Sequence, residues 1–265
     1  MNLNLEGKHA LVCGSTQGIG KASAVELAAL GARITLLARN EEELKKVRDE
    51  LPNPENKKHW QHDFICADFS KSSELKSIVE KYIAENGAIH ILVNNTGGPA
   101  GGPITEAKTE EFISTFNNHL ICNHILAQAV LKGMTEAGYG RIINIISTSV
   151  KQPLKGLGVS NTIRAAVANW SKTLAGEVAK YNITVNNVLP GATNTVRLKS
   201  ILEAKSKRTG KNIEELKLEM IAEIPMARLG NANEIANAVA FLASPAAAYI
   251  TGISIPVDGG RTGSL

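Results

Sequence analysis

The stretch Lys8-His9-Ala10-Leu11-Val12-Cys13-Gly14-Ser15-Thr16-Gln17-Gly18-Ile19-Gly20 decides the fold. Lys8 to Cys13 has the length and apolar character of a buried strand. Gln17 to Leu30 then places Ile19, Ala22, Val25, Leu27 and Ala28 at helical spacing, and Gly31 stops the helix. Between strand and helix lies a glycine-rich turn. Gly14 suits the tight bend, Gly18 lets backbone approach a pyrophosphate at the helix N-terminus, and Gly20 permits close packing on the sheet. The spacing is GxxxGxG rather than GxGxxG, so the position directly after a strand and before a helix carries the nucleotide-site reading. Gln17 and Ile19 belong to the same turn.

Outward from this unit the pattern repeats. Arg33 to Ala38 is a continuous strand-like run, and Asn40 caps a charged helix through about Leu51, with Glu41, Glu42 and Glu43 in its first turn and Pro52 and Pro54 beyond it. Further strands are expected near Trp60 to Cys66, Ile89 to Asn94, Gly140 to Ile146, Ile183 to Leu189 and Ile253 to Val257. Helices are expected near 72–86, 109–134, 159–180 and 231–243. Alternating strands and helices with crossovers predict one α/β domain over residues 1–265: a Rossmann fold with a doubly wound, seven-stranded parallel sheet and helices on both faces. The polar, partly helical insertion at 192–224 follows a strand's carboxyl end, where a substrate lid belongs.

Composition narrows the function. Hydrophobic residues at 43% and charged residues at 20% describe a globular protein with chain enough for a full core. Only 4% of residues are aromatic, which argues against a nucleic-acid stacking platform, and the net charge of +4 is spread along the chain without a basic stripe. One local cluster, Lys205, Lys207, Arg208 and Lys211, reads either as a solvated turn or as a receptor for an anionic substrate tail. No signal peptide or 18-residue apolar span is seen, so a cytoplasmic protein without membrane partners is expected. Cys13, Cys66 and Cys122 lie in apolar stretches and are expected as buried, reduced thiols. His59, His62 and Cys66 have ligand chemistry, but strand alternation splits them between faces, so no metal is expected.

The end of the second strand discriminates between dinucleotides. An acidic residue there would hold the adenosine ribose hydroxyls and repel a 2′-phosphate, whereas this chain has Ala38-Arg39-Asn40. The Arg39 guanidinium can pair with that phosphate in a forked geometry, and Ser15 can add a hydroxyl, so NADP(H) is favoured over NAD(H). Asp68 and Phe69 follow the third strand. The Asp68 carboxylate either accepts the adenine amino group or caps a helix.

These residues, with Asn94-Asn95-Thr96-Gly97, Gly140-Arg141-Ile142-Ile143-Asn144, Asn186-Asn187-Val188-Leu189-Pro190-Gly191 and Val257-Asp258-Gly259-Gly260, resemble the short-chain dehydrogenase/reductase family over almost the whole chain. Within that family the sequence is most similar to the 3-oxoacyl-carrier-protein-reductase-like branch. The resemblance implies hydride transfer between nicotinamide and a carbonyl or alcohol substrate, and a homotetramer or dimer. The small-residue helix around Ala165, Ala166 and Ala168 suits close packing, either between subunits or within one. The resemblance also implies that Pro190, Gly191, Thr193 and Thr195 reach the nicotinamide amide. Asn94 and Gly97 either contact the cofactor or pack strand four against its loop.

The family's catalytic group is Asn, Ser, Tyr and Lys. Ser147 matches the serine, but the tyrosine position holds Ser160, the lysine position Arg164 and the asparagine position His119. A phenol of pKa about 10 can be tuned toward neutrality by a cation, whereas a serine hydroxyl is a far poorer acid. Arg164 can bind ribose hydroxyls and stabilise an oxyanion but cannot relay a proton as a lysine does. His119 is then a candidate relay, because imidazole ordinarily titrates near neutrality. The rival reading from another class is an NADP(H)-binding sensor or structural subunit without turnover. Non-redox chemistry such as dehydration or epimerisation is a third.

Overall fold

The computed structural model describes residues 1–53 and 61–264. Its strands are β1 (His9–Cys13), β2 (Arg33–Ala38), β3 (Asp63–Cys66), β4 (Ile91–Asn94), β5 (Gly140–Ile145), β6 (Ile183–Pro190) and β7 (Ser254–Val257). They form one parallel sheet in the order β3-β2-β1-β4-β5-β6-β7. The helices are α1 (Gly18–Ala29), α2 (Glu41–Glu50), α3 (Ser72–Asn86), α4 (Thr109–Phe116), α5 (Cys122–Glu136), α6 (Gly158–Val178), α7 (Val196–Thr209), α8 (Ile213–Ala222) and α9 (Ala232–Ala243). The doubly wound α/β architecture expected from the alternating pattern is therefore the one that forms. The third strand starts at Asp63; Trp60, His59 and Pro54 lie outside the described residues.

Alternation along the strands builds two cores. Ala10 and Val12 of β1, Ile34 and Leu36 of β2 and Val93 of β4 face a layer made by α1, α2 and α9, where Leu27, Leu44 and Val239 meet them. The intervening residues Leu11, Leu37 and Leu92 face the opposite layer with Leu75 of α3, Leu126 of α5 and Val178 of α6. A strand buried on both sides is apolar at successive positions for this reason. Each fully buried leucine contributes about 1.5–3 kcal/mol relative to exposure.

Local signals set the ends. The Asn40 side chain accepts the Glu43 N–H at 3.1 Å, and Gly31 ends the α1 region with φ +96°. Asn231 and Glu234 cap α9 reciprocally, the Asn231 N–H donating to Glu234 at 2.8 Å. The helix expected at 109–134 is interrupted: α4 and α5 are joined by one π-helical turn, Asn117–Ile121, that holds His119. An extra residue in a turn rotates the following positions by about 100°, and no glycine or proline in the sequence marks the point.

The insertion at 192–224 contains α7 and α8, packed together through Leu198, Leu202 and Leu216. Two members of its basic cluster, Lys205 and Lys211, ion-pair with Glu219 on the facing helix. Cys13 and Cys122 are buried, but Cys66 is exposed, contrary to expectation. It lies on β3, the outermost strand, which has only β2 beside it. At the amino ends of the strands a polar chain is enclosed: His9 Nε2 stands 2.7 Å from Thr35 Oγ1, which stands 2.8 Å from the Tyr82 hydroxyl. That hydroxyl donates to Asp63 at 2.9 Å. Among the described residues no helix is long and apolar enough to cross a membrane.

Candidate active site

The sheet order reverses between β1 and β4: from β1 the chain winds outward to β2 and β3, then returns to β4 on the other side. The loops leaving the carboxyl ends of these two strands diverge, and a crevice opens there. It is a cleft of about 790 Å³ lined by Gly14 and by Thr16 to Ile19, from the ends of β2 to β6, and by α7.

The glycine turn is held open by geometry rather than by composition. Gly14 has φ +58°, and a Cβ added to it would stand 2.7 Å from Asn95. A Cβ on Gly20 would stand 2.2 Å from the Gly14 carbonyl oxygen, so α1 packs directly on the turn. Asn95 fastens the two sides of the crevice, its Nδ2 donating to the Cys13 and Gly14 carbonyls at 3.2 Å each. No side chain caps α1, whose N-cap residue is Gln17 and whose first turn has no acidic residue. A Cβ on Gly18, φ +56°, would stand 3.6 Å from Thr195 Cγ2. An uncapped helix N-terminus beside a glycine-lined gap suits a dinucleotide's pyrophosphate.

Most of the cofactor residues expected from the sequence line this cleft: Gly14, Gln17, Gly18, Ile19, Arg39, Asp68, Phe69, Gly97, Pro190, Gly191, Thr193 and Thr195. Arg39 is exposed at the rim. Asp68 is held below the usual carboxylate range, first by hydrogen bonding from the Ser70 backbone and with a smaller contribution from Arg39. Three expected residues lie elsewhere. Ser15 is fully buried, and its hydroxyl oxygen accepts the Leu37 N–H at 3.1 Å, so it braces the turn against β2; Thr16 lines the cleft instead. Gly20 is the contact between helix and turn. Asn94 is buried in the sheet, donating to Asn144 Oδ1 at 2.8 Å, while its neighbour Asn95 reaches the cleft.

Ser147, Ser160 and Arg164 line the other end. Ser147 follows β5, and its hydroxyl oxygen accepts the Ser149 N–H at 3.1 Å. Ser160 and Arg164 are one turn apart on α6 and both line the cleft. Arg164 is buried, donates to the Ile145 carbonyl at 2.9 Å and has its pKa pushed down to about 10 by burial and by the charge of Arg197. His119 is 2% exposed and does not line the cleft. Burial, then the charge of Arg164, hold its pKa well below the usual imidazole value, against a hydrogen bond with the Gly97 backbone. The imidazole is therefore neutral at pH 7. Lys151 and Lys155 are exposed and do not line the cleft.

Sequence reasoning passed over Arg197. It stands on α7, donates to the Pro99 carbonyl, and lines the cleft facing Gly98. Its partners follow β4, far away in the chain, so no local pattern marks it. Asn95 was legible as part of Asn94-Asn95-Thr96-Gly97, but which asparagine turns to the cleft depends on strand parity. Among the described residues no group of three His, Cys, Asp or Glu side chains could hold a metal ion.

A family model described as Enoyl-(Acyl carrier protein) reductase matches residues 14–262. The chain belongs to the short-chain dehydrogenase/reductase family. Among other members it is similar to the 3-oxoacyl-[acyl-carrier-protein] reductase of Escherichia coli K12, 37% identical over 258 residues that cover 97% of this chain and 98% of that protein. The L-sorbose reductase of Gluconobacter frateurii, solved with NADPH and L-sorbose, superposes with a TM-score of 0.90 at 32% identity and full coverage of both chains. YwfH, an NADPH-dependent reductase involved in bacilysin biosynthesis, superposes with a TM-score of 0.90 at 31% identity, covering 97% of this chain and 99% of that one. The range matched by the family model includes Ser147, Ser160 and Arg164.

Proposed function

We propose that the protein is an NADP(H)-dependent oxidoreductase that transfers a hydride between nicotinamide and a carbonyl or alcohol substrate, a 3-oxoacyl thioester being one candidate. The observation that carries this reading is Arg39, a cation at the end of β2 on the rim of a cleft that begins at an uncapped helix N-terminus. The reductases solved with NADPH, or described as NADPH-dependent, support the same cofactor.

Gly14, Gln17, Gly18 and Ile19 would hold the pyrophosphate, Arg39 the 2′-phosphate, and Asp68 and Phe69 the adenine. Pro190, Gly191, Thr193 and Thr195 would meet the carboxamide, with Gly97 beside the bound dinucleotide and Arg164 on its ribose. Once bound, the nicotinamide supplies or accepts the hydride. The chain's own groups position the substrate. Because the Ser147 oxygen already accepts the Ser149 N–H, its hydroxyl proton is free to donate to a substrate carbonyl oxygen. Ser160 can donate to the same oxygen. Arg164 stays cationic at neutral pH, since its pKa is about 10, and stabilises negative charge developing there. His119, neutral and buried, supports the Gly97 backbone and the cationic end of the site rather than storing a proton.

The test is NADPH oxidation by the purified protein against ketones and 3-oxoacyl thioesters, with NADPH and NADH binding titrated on the same sample. Turnover abolished by Ser147→Ala supports the reductase, and unchanged turnover and pH profile in His119→Ala removes His119 from the mechanism. The second reading, a nucleotide-binding protein without turnover, is favoured by Ser160 and Arg164 in the Tyr and Lys positions. Tight NADPH binding with no reduction of any substrate would support it. Failure to bind either nucleotide refutes both.

A further inference from the structure

The cleft is partitioned by charge. Its two carboxylates, Glu43 and Asp68, lie at the β2–β3 end with Arg39. The opposite end carries Arg164 and Arg197, and among the described residues no acidic side chain acts on either. Arg261 also lines the cleft but is ion-paired with Glu223.

Each of the two remaining arginines donates to one main-chain carbonyl, Arg164 to Ile145 and Arg197 to Pro99. A guanidinium has five N–H donors, so both retain capacity toward the cleft. Burial opposes both charges, and the charge of Arg197 further opposes that of Arg164. Buried cations without a counter-charge are unfavourable, and a bound anion removes the penalty. The dinucleotide's own phosphates have separate receptors in the first turn of α1 and in Arg39. Around Arg197 the lining contributed by α7 and α8 is apolar: Val196, Leu198, Ile201 and Met220.

We propose that Arg197, with the N–H groups of Arg164 that the cofactor's uncharged ribose leaves free, forms a carboxylate receptor beside Ser147 and Ser160, so that the substrate is a free oxo acid, or the matching hydroxy acid, with an apolar body. This rests on the oxidoreductase reading of the cleft and replaces the thioester by its free acid. The carboxylate binds the guanidinium pair while the carbonyl meets the two hydroxyls, and α7 covers the apolar portion.

The probes are 3-oxohexanoate, its methyl ester and its N-acetylcysteamine thioester, followed by NADPH oxidation and by quenching of the fluorescence of protein-bound NADPH. The acid is expected to exceed both neutral forms in kcat/KM by about 10- to 100-fold, the range for a charge-assisted hydrogen bond. Arg197→Met should remove that advantage mainly through KM, and Arg197→Lys should restore part of it. Thermal melting of both variants checks that they fold. Equal use of acid and ester by the wild type overturns the proposal, as does an equal loss for all three probes in Arg197→Met. A parallel rise in the NADPH dissociation constant assigns the pair to the cofactor's phosphates and also overturns it. If NADPH binds but no probe is reduced, the oxidoreductase reading fails for this substrate class. The receptor is then judged by quenching alone: acid-selective quenching lost in Arg197→Met supports it, and unselective or absent quenching overturns it.

Discussion

Two glycine-to-alanine substitutions in the same cleft region should behave oppositely. In Gly20→Ala the new methyl would stand 2.2 Å from the Gly14 carbonyl oxygen and 2.7 Å from Asn95 Nδ2. Both neighbours are fixed, the first as backbone and the second by its bonds to Cys13 and Gly14. Relief requires α1 to retreat from the turn by roughly 1 Å, the distance needed to restore van der Waals contact. Overpacking costs about 1–3 kcal/mol, and weakening the two Asn95 hydrogen bonds adds about 1 kcal/mol each. A loss of about 3–5 kcal/mol predicts a fall in Tm of roughly 6–20 °C for a domain of this size. In Gly97→Ala the methyl meets nothing within 4 Å and the backbone is not left-handed, so stability should hold within about 0.5 kcal/mol. Thermal and urea unfolding of both variants, with NADPH titrated by fluorescence, measures the contrast. Wild-type stability and NADPH affinity in Gly20→Ala would refute the claim that close approach of helix and turn shapes the site.

Arg39→Ala should weaken NADPH binding by about 10- to 100-fold while leaving NADH affinity within about twofold, since only the 2′-phosphate loses a charged partner; equal losses for both nucleotides would place Arg39 elsewhere. Asn95→Ala removes both ties between the two loops and should cost about 2 kcal/mol by urea unfolding, with weaker NADPH binding, whereas an unchanged midpoint would show the ties to be incidental. Acid should destabilise the protein through His9, whose pKa is lowered to about 3, chiefly by burial and then by the Arg33 charge. The folded state prefers the neutral ring, so this contribution is intact above pH 6.5 and is lost as the pH falls from 6.5 toward 3. At pH 4 that amounts to about 3 kcal/mol. His9→Gln should flatten the pH 7 to pH 4 difference in urea midpoint, and an unaltered difference would assign the acid sensitivity to other groups.

The element types were legible because each rests on a local period or cap: Leu11 and Val12 alternate between faces, Asn40 takes the Glu43 N–H, and Gly31 supplies a positive φ. The π turn at Asn117–Ile121 was not legible, because the helix runs on through it and neither glycine nor proline marks the point. The buried reading of Cys66 failed because an apolar strand sequence does not state whether the strand is central or at the edge.

The sequence by itself determined the alternating β and α units, the glycine turn between β1 and α1, a cation at the end of β2, and a serine and an arginine four residues apart at positions 160 and 164. These are properties of single segments, set by backbone sterics, periodicity and residue chemistry. Only the tertiary structure decided that Ser15 turns inward while Thr16 faces the cleft, that Asn95 rather than Asn94 ties the crevice, and that Arg197 reaches the loop after β4 to stand near Arg164. Each depends on side-chain direction and on contacts between segments many residues apart, which the packing of the whole sheet fixes and no local pattern records.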